Sequence, residues 1–335
     1  MGLGTTCMEA LKSHVGAVVI GRNEGDRLRA CLQSLTKTLE HVVYVDSGST
    51  DESVKTASAL GVMVIELDMS VPFTAARARN VGANALLEAL PNIRYLQFVD
   101  GDCEVSPGWL ETENGFMETN TATAACCGRR RERYPENSIY NWLCDVEWDT
   151  PIGKAKSCGG DALIRVTAFQ KVGGYRNDLI AGEEPEMCVR FRHSGYKIYR
   201  IDSEMTLHDA NITEFSQWWK RAVRGGFAFA QGASIHGNPP EKHKVKERNR
   251  VLFWGGALPL FIALLSTLVS PYFLTLLLLY PLSVGKIYWN NKTKLEKSFR
   301  YSIFMVVGKF AEFKGALKFY FERIAGKQSK LIEYK

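Results

Sequence analysis

The chain has 335 residues, of which 46% are hydrophobic and 23% are charged, and this composition excludes a wholly disordered or collagen-like protein. The formal net charge of +6 is unevenly divided, since residues 1–235 carry a net charge of −5 and residues 236–335 a net charge of +11. Residues 1–235 are acidic and lack the clustered positive charge that binds the phosphate backbone of a nucleic acid, so we expect no nucleic acid as a partner.

The eight cysteines have neither a CxxC pair nor the spacing of a zinc site. Because a chain of this length buries a large core without disulfides, we expect reduced, buried thiols in a domain that faces the cytosol. The first twenty residues have no basic start, apolar run or small-residue cleavage site, so no signal peptide is predicted.

Short apolar runs typical of buried parallel strands alternate with helical patterns from Val15 onwards. Strands are predicted at 15–20, 42–45, 62–65 and 95–99. Helical spacing is found at 27–39, 54–60 and 75–89. This alternation predicts right-handed crossovers and an α/β fold, with a mixed, mostly parallel sheet flanked by helices.

Two carboxylates, Asp100 and Asp102, follow the fourth predicted strand and are separated by Gly101. They lie at the carboxyl edge of the sheet, where ligands bind in open α/β folds. The glycine permits the turn that brings two such side chains together, and their hard oxygens suit Mg²⁺ or Mn²⁺ bridging a diphosphate. Taken alone, this DxD pattern is more typical of a solvated surface turn.

Three further segments are predicted at the same edge. They are Asn23-Glu24-Gly25, Asp46-Ser47-Gly48-Ser49-Thr50-Asp51 and Ala78-Arg79-Asn80-Val81-Gly82. The last opens a helix and leaves Arg77 and Arg79 available to a diphosphate. Together with the DxD segment they resemble the nucleotide-binding half of family 2 glycosyltransferases, which have the GT-A fold.

Later segments extend this resemblance to about residues 13–230. The run from Lys156 to Arg165 is similar to the acceptor-side strand of that family. Val172-Gly173-Gly174-Tyr175, followed by the run from Gly182 to Arg190, is similar to its GGF…EDxDLxxR block.

The resemblance implies roles for individual residues in binding a nucleotide-diphosphate sugar. Asp46 would hold the nucleobase, Asp100 would contact the ribose or uridine side, and Asp102 would ligate the metal. The implied donor-binding set is Asn23, Glu24, Asp46, Arg79, Asp100 and Asp102. The implied metal ligands are Asp102 and Asp100, with Mg²⁺ or Mn²⁺ as the ion.

Glu184 falls where the family has the catalytic Asp of its ED motif, with Glu183 before it. The resemblance implies that Glu184 deprotonates the acceptor hydroxyl, which attacks the anomeric carbon in one displacement and inverts its configuration. Glu183, Glu184 and Glu186 would raise the pKa of the base by mutual repulsion. The alternative interpretation is an acidic helix N-terminus stabilised by the helix dipole.

His208 follows the predicted strand Lys197–Ile201, where related enzymes often have a histidine near the metal or the leaving group. A structural, hydrogen-bonded histidine is the alternative. Candidates for binding the acceptor or a phosphate are Gly160, Asp161, Trp218, Arg221 and Arg224. Trp218 could equally pack at a membrane surface. The run Arg129–Arg133 is typical of a solvated face, or could receive a phospholipid-linked sugar.

The last hundred residues have the pattern of a membrane attachment. A basic linker is predicted at 236–250, and residues 251–285 contain no charged side chain, which favours a transmembrane or re-entrant hairpin at 251–289 broken near Ser270-Pro271. Basic residues on both sides place both ends in the cytosol. An amphipathic, basic helix is predicted at 296–326, suited to anionic lipids.

The sequence therefore predicts a glycosyltransferase domain at 1–235 held at the cell inner membrane and facing the cytosol. It would be an inverting, metal-assisted enzyme that moves a sugar to a glycan or lipid-linked acceptor for the cell envelope. One alternative is a Rossmann-type dinucleotide oxidoreductase, although the first turn lacks GxGxxG. The other is a non-catalytic membrane scaffold with a degenerate transferase domain.

Overall fold

The structure is a computed structural model that describes residues 13–327. Cys7 and most of the segment considered for a signal peptide lie outside the described residues. Contacts within the chain divide it between Thr213 and Glu214 into two compact units. The boundary therefore falls earlier than the expected residue 235, because the helix Phe215–His236 packs against the helix Ser298–Ile324 within the second unit.

The first unit is built on a nine-stranded sheet. Its strands are β1 (Val15–Gly21), β2 (Val42–Asp46), β3 (Met63–Glu66), β4 (Tyr95–Asp100), β5 (Cys103–Val105), β6 (Thr123–Glu132), β7 (Gly153–Ala155), β8 (Ala162–Arg165) and β9 (Lys197–His208). The sheet order is β3-β2-β1-β4-β8-β6-β9-β5, with β7 paired to β9. The four leading strands are parallel, and β8 joins β4 in the antiparallel direction. The mixed α/β fold is thus confirmed.

Between residues 15 and 213, seven helices accompany this sheet. They are α1 (Asp26–Thr36), α2 (Ser53–Ala59), α3 (Ala75–Ala89), α4 (Trp109–Thr119), α5 (Ile139–Trp148), α6 (Val166–Val172) and α7 (Glu183–His193). The predicted strands and helices before residue 100 are present with ends shifted by a few residues. The seven described cysteines are buried, as expected.

Helix α3 lies unusually close to the parallel strands. Its N-cap Thr74 accepts a hydrogen bond from the backbone of Arg77 at 3.1 Å, which fixes where the helix begins. A Cβ at Gly82 would lie 2.5 Å from a methyl of Val18 and 2.9 Å from one of Val45, so only glycine permits this approach. The close packing places Arg79, one turn earlier, at the carboxyl edge of the sheet.

The second unit is helical. Its helices are α8 (Phe215–His236), α9 (Val245–Leu252), α10 (Leu258–Leu268), α11 (Leu279–Asn291) and α12 (Ser298–Ile324). A π-helical turn joins α9 to α10, and a 3₁₀ segment at Pro271–Leu278 leads into α11. The two continuous helices Val245–Leu268 and Pro271–Asn291 are long and apolar enough to cross a membrane, and they are separated at the expected break.

Small residues join α8 and α12. A Cβ at Gly226 would lie 1.9 Å from the backbone oxygen of Glu312, and one at Gly315 would lie equally close to that of Val223. This is the packing that small residues allow between helices in membranes. Phe304 and Phe319 of α12 also pack on α8, against Trp218 and Phe227, whereas Phe321 and Ile324 are 67% and 85% exposed.

Candidate active site

The loop after β2 is held by the buried carboxylate of Asp46. One oxygen accepts the hydroxyl of Tyr44 at 2.8 Å, and the other accepts the backbone N–H groups of Gly48 at 2.9 Å and Ser49 at 2.8 Å. Burial, followed by the neighbouring Asp46, raises the pKa of Tyr44. Asp46 therefore shapes its own loop, and its oxygens are already engaged at the position where the nucleobase was expected.

The loop after β1 is fastened to the loop after β2. The backbone N–H of Asn23 donates to Ser49 Oγ at 2.9 Å, and its side-chain oxygen accepts the N–H of Thr50 at 2.7 Å. Asn23 has a φ of +57°, a conformation that asparagine tolerates better than most residues. Glu24 pairs with Arg27 at 2.8 Å. The two loops therefore form one wall at the carboxyl edge of the sheet.

Asp100, at the end of β4, lies between two guanidinium groups. Its Oδ1 is 2.7 Å from Arg79 and its Oδ2 is 3.0 Å from Arg130. Burial would raise the pKa of Asp100, but the two cations outweigh it and hold the pKa below its usual range. Both oxygens of Asp100 are thus neutralised by arginine.

Arg79 connects Asp100 to the start of α7. Its side chain is 3% exposed, and it also lies 2.8 Å from Glu183 and 3.3 Å from Glu184. Three carboxylates surround Arg79 in this arrangement, and its expected contact with a diphosphate stays a prediction. The guanidinium of Arg77 donates to backbone carbonyl oxygens of the preceding loop, including that of Val71, and its expected role also stays a prediction.

Helix α7 begins at Glu183, directly after Gly182, whose φ of +80° turns the chain into the helix. Burial and then the neighbouring Glu183 raise the pKa of Glu184 to about 7, although Arg79 acts in the opposite direction. Glu186 was expected to add to this repulsion. It instead binds Arg190 at 2.6 Å on the same helix, so two glutamates rather than three form the cluster.

The second carboxylate of the DxD segment has a different partner. Asp102 is buried, and its Oδ2 lies 3.3 Å from Nε2 of His208. His208 is the last residue of β9, which extends seven residues beyond the predicted end. The register of β6 and β9 places Glu132 opposite His208, with its Oε2 3.8 Å from Nδ1. Burial opposes protonation of His208, but Asp102 raises its pKa overall.

These side chains form a candidate metal centre. Ligand atoms of Asp102, Cys103 and His208 all lie within 4.8 Å of one another. A carboxylate and an imidazole suit Mn²⁺, and the carboxylate also suits Mg²⁺. Asp100 fits less well as a ligand because arginines engage both of its oxygens. The two carboxylates of the DxD segment, which were expected to bind one ion together, therefore have different partners: Asp100 contacts two arginines and Asp102 contacts His208.

Asp161 is hydrogen-bonded to the backbone of Asp100. It is fully buried and accepts hydrogen bonds from Arg130 Nε at 2.8 Å, from Thr206 at 2.8 Å and from the backbone of Asp100 at 3.1 Å. The expectation that Asp161 binds an acceptor or phosphate does not fit this burial. A Cβ at Gly160 would lie 2.6 Å from Arg79 and 2.8 Å from Asp100, so glycine is required by close packing.

Sequence reasoning missed Arg130, which it placed within a solvated run of arginines. The side chain of Arg130 is 15% exposed and bridges Asp100 and Asp161, while its guanidinium lies 5.4 Å from the ring of Trp148. The ring of Trp148 also meets that of His208 edge-on, with centroids 4.6 Å apart. The alternation of a strand could have separated Arg130 from its neighbours, since adjacent side chains on β6 point to opposite faces.

Three weaker candidates belong to α8 of the second unit. Trp218 is buried and packs against Phe304, with ring centroids 4.9 Å apart, and against Phe215 at 5.5 Å. Arg221 and Arg224 lie on the same helix and are half-buried. Their expected roles at the acceptor or phosphate stay predictions.

Comparison with known proteins identifies two family matches in the first unit. Residues 17–157 match glycosyl transferase family 2, and residues 145–214 match the N-terminal domain of galactosyltransferase. The chain is 24% identical over 227 residues to glycosyltransferase AglE of Haloferax volcanii, covering 63% of this chain and 71% of AglE. It is 23% identical over 202 residues to the O-antigen chain rhamnosyltransferase RfbN of Salmonella typhimurium, covering 55% of this chain and 62% of RfbN.

Two solved structures show the same fold. The mannosyltransferase PcManGT of Pyrobaculum calidifontis, in complex with GDP-Man and Mn²⁺, superposes with a TM-score of 0.63 at 18% identity, covering 92% of this chain and 88% of that one. The glucosyl-3-phosphoglycerate synthase of Mycobacterium tuberculosis, with Mn²⁺, UDP and phosphoglyceric acid, gives 0.50 at 17% identity, covering 69% and 82%. Both likenesses support the GT-A fold.

Proposed function

We propose that the chain moves a sugar from a nucleotide-diphosphate sugar to a glycan or lipid-linked acceptor with inversion of configuration, because residues 17–157 match glycosyl transferase family 2 and the chain has the GT-A fold. One observation carries the proposal. Cys103 Sγ lies within 4.8 Å of ligand atoms of Asp102 and His208 and also of Asp100 and Asp161, and Arg79 joins Asp100 to Glu184, whose pKa is about 7. A metal-binding pair and a candidate base are thus parts of one cluster.

Asp102 and His208 would hold Mg²⁺ or Mn²⁺, with Cys103 close by. Such an ion supplies charge stabilisation to the departing diphosphate. Glu132, which accepts the backbone N–H of Ala210 at 3.0 Å, lies behind the His208 ring on the side away from Asp102. With an ion bound, this carboxylate would favour the proton on Nδ1, so that the lone pair of Nε2 is available to the ion that Asp102 also holds.

Glu184 would be the general base. With a pKa of about 7 it is part deprotonated at neutral pH, which suits removal of a proton from an acceptor hydroxyl. The proton passes to the carboxylate, the acceptor oxygen bonds to the anomeric carbon, and the bond from that carbon to the diphosphate breaks. Glu183, bound to Arg79, holds the arginine in place and raises the pKa of its neighbour.

The wall formed by the loops after β1 and β2 would receive the nucleoside. Asn23 and Asp46 act on the backbone of these loops, so they would shape the nucleobase site largely through Ser49 and Thr50. Relatives of this fold bound to GDP-Man or UDP support a nucleotide donor without identifying the base.

Membrane attachment at the inner, cytoplasmic membrane forms the second part of the proposal. The helices Val245–Leu268 and Pro271–Asn291 expose large apolar side chains, with Leu268 79% and Leu282 67% exposed. Lysines and arginines flank the pair on both sides, which favours a hairpin with both ends in the cytosol. The catalytic unit would then face the cytosolic pool of nucleotide sugars.

The transfer reaction is tested with the full chain in detergent, a panel of nucleotide sugars and a Mn²⁺ titration. We expect Asp102→Asn to raise the Mn²⁺ concentration for half-maximal rate by at least tenfold, while Asp202→Asn, at an exposed carboxylate, leaves it unchanged. The product linkage, read by NMR, should be opposite in configuration to that of the donor. An unchanged Mn²⁺ requirement in Asp102→Asn would contradict the metal assignment.

Failure of every donor to give transfer, with nucleotide binding retained, would instead support the scaffold hypothesis. The hairpin is tested with single engineered cysteines replacing Lys246 and Lys294 in intact cells. We expect both to resist a membrane-impermeant maleimide until the cells are opened. Labelling of only one of the two would show a single crossing.

A further inference from the structure

Two buried cysteines meet beside the base. The sulfur atoms of Cys158 and Cys188 are 3.6 Å apart, and the two side chains are 7% and 0% exposed. Cys188 lies on α7, one turn after Glu184. Cys158 lies in the segment that leads into β8, two residues before Gly160. A sulfur pair at this distance needs only a small movement to form a disulfide.

Both cysteines belong to segments that build the candidate active site. Helix α7 carries Glu184, and the segment after Cys158 presses Gly160 against Arg79 and Asp100. A covalent bond between the sulfurs would therefore join the helix of the base to the wall of the carboxylate network.

From this geometry we infer that Cys158 and Cys188 form a redox-sensitive dithiol, which a peroxide oxidises to a disulfide that slows sugar transfer. The short distance between the two sulfur atoms is the observation that identifies these cysteines as the oxidised pair. The effect on transfer rests on the proposed function. Neither cysteine has a role in the transfer mechanism proposed above.

The oxidation balances without any further reactant. The Cys188 thiolate attacks a peroxide oxygen and the O–O bond breaks, so that a sulfenic acid forms and the departing oxygen takes up the proton released by the Cys188 thiol and leaves as water. Cys158 then attacks the sulfenic sulfur, the S–O bond breaks, and a second water leaves with the disulfide formed. The two thiols lose two electrons, and the peroxide gains them. A hydrogen bond from the Cys158 thiol favours the thiolate of Cys188 and lowers its pKa, which supports this order.

Disulfide formation would displace the base. The sulfur separation would fall from 3.6 Å to about 2.05 Å, and we expect part of this change to bring α7 and the Cys158 segment closer together. Misplacement of a catalytic group by about 1 Å can lower a rate by about 10²-fold. We therefore expect kcat of the oxidised protein to fall at least tenfold, with a smaller change in donor binding.

The test treats the full chain in detergent with hydrogen peroxide and maps disulfides by mass spectrometry of its peptides. We expect a linked pair of peptides containing Cys158 and Cys188, and a loss of kcat that follows the linked fraction and is reversed by dithiothreitol. Cys158→Ser and Cys188→Ser should each keep activity after peroxide. Cys144→Ser, at a buried cysteine outside the pair, should stay sensitive.

Two results would overturn the inference. One is the absence of the linked peptides at peroxide concentrations that oxidise free glutathione completely. The other is a fully linked protein with unchanged kcat. Because the mapping needs no enzymatic activity, it decides the modification even if no donor is found, and this separates its failure from failure of the proposed transfer reaction.

Discussion

Replacement of Glu184 by glutamine tests the assignment of the base most directly. The amide is nearly isosteric with the protonated acid but cannot accept a proton, so we expect kcat to fall by about 10²–10⁴-fold, the contribution typical of general-base catalysis. Glu184→Asp keeps a carboxylate and restores the residue that the family has at this position. It should retain more activity than the glutamine variant.

The pH profile gives a second, independent measure. With a pKa of about 7 in the free protein, kcat/KM should rise about tenfold per pH unit below neutrality and level off above it. Glu183→Gln removes the neighbouring negative charge that raises this pKa. The midpoint of its profile should therefore shift to lower pH, while the base itself is kept.

The same group makes folding depend on pH. A carboxyl whose pKa is raised from 4.5 to about 7 on folding binds its proton more tightly in the folded state, so its stabilisation is complete below pH 4.5 and is lost as pH rises through 7. The loss is of order 3 kcal/mol. The melting temperature of Glu184→Gln relative to the unmodified chain should therefore increase between pH 5 and 8. A kcat within threefold of the unmodified chain, or a profile midpoint near 4.5, would refute the reasoning.

Three other substitutions test the packing. Gly160→Ala should lower kcat at least tenfold, because its Cβ would lie 2.6 Å from Arg79 and 2.8 Å from Asp100 and would displace them. Gly159→Ala, with open space around it, should leave kcat unchanged, and steady-state kinetics compares the two variants. Arg130→Ala leaves a fully buried carboxylate without its cation and should cost about 3–5 kcal/mol in denaturant unfolding. Gly226→Ala should lower the melting temperature in detergent through contact with a backbone oxygen 1.9 Å away, and Gly225→Ala, with nothing near, should not.

The order of elements before residue 100 could be predicted from the sequence because it depends on local patterns. The apolar runs that became β1, β2 and β4 are continuous and buried on both faces, and each ends near a polar loop. Since carboxyl ends of parallel strands share one edge, the sequence also placed Asn23, Asp46 and Asp100 there.

The partners of those side chains could not be predicted in the same way. Arg79 meets Asp100 21 positions along the chain and Glu183 104 positions along it, and no periodicity encodes such pairings. The arginine looked available because its carboxylates are distant in sequence. The domain boundary lies earlier than the predicted residue 235 for a related reason. The small residues of α8 fit against α12, about eighty residues later in the chain, and the sequence pattern does not show this contact.

The charges of the site explain why one of its carboxylates has a raised pKa. Asp100, Asp161 and Glu183 each lie within 2.8 Å of one of two arginines, so those cations are shared among the best-placed carboxylates. Glu184 is the fourth carboxylate around these two arginines, and it lies 3.3 Å from Arg79. Because the arginines are already engaged, burial and repulsion dominate there, and the proton affinity rises. The arrangement that fixes the network thus also gives Glu184 the raised pKa that its proposed role as a base requires.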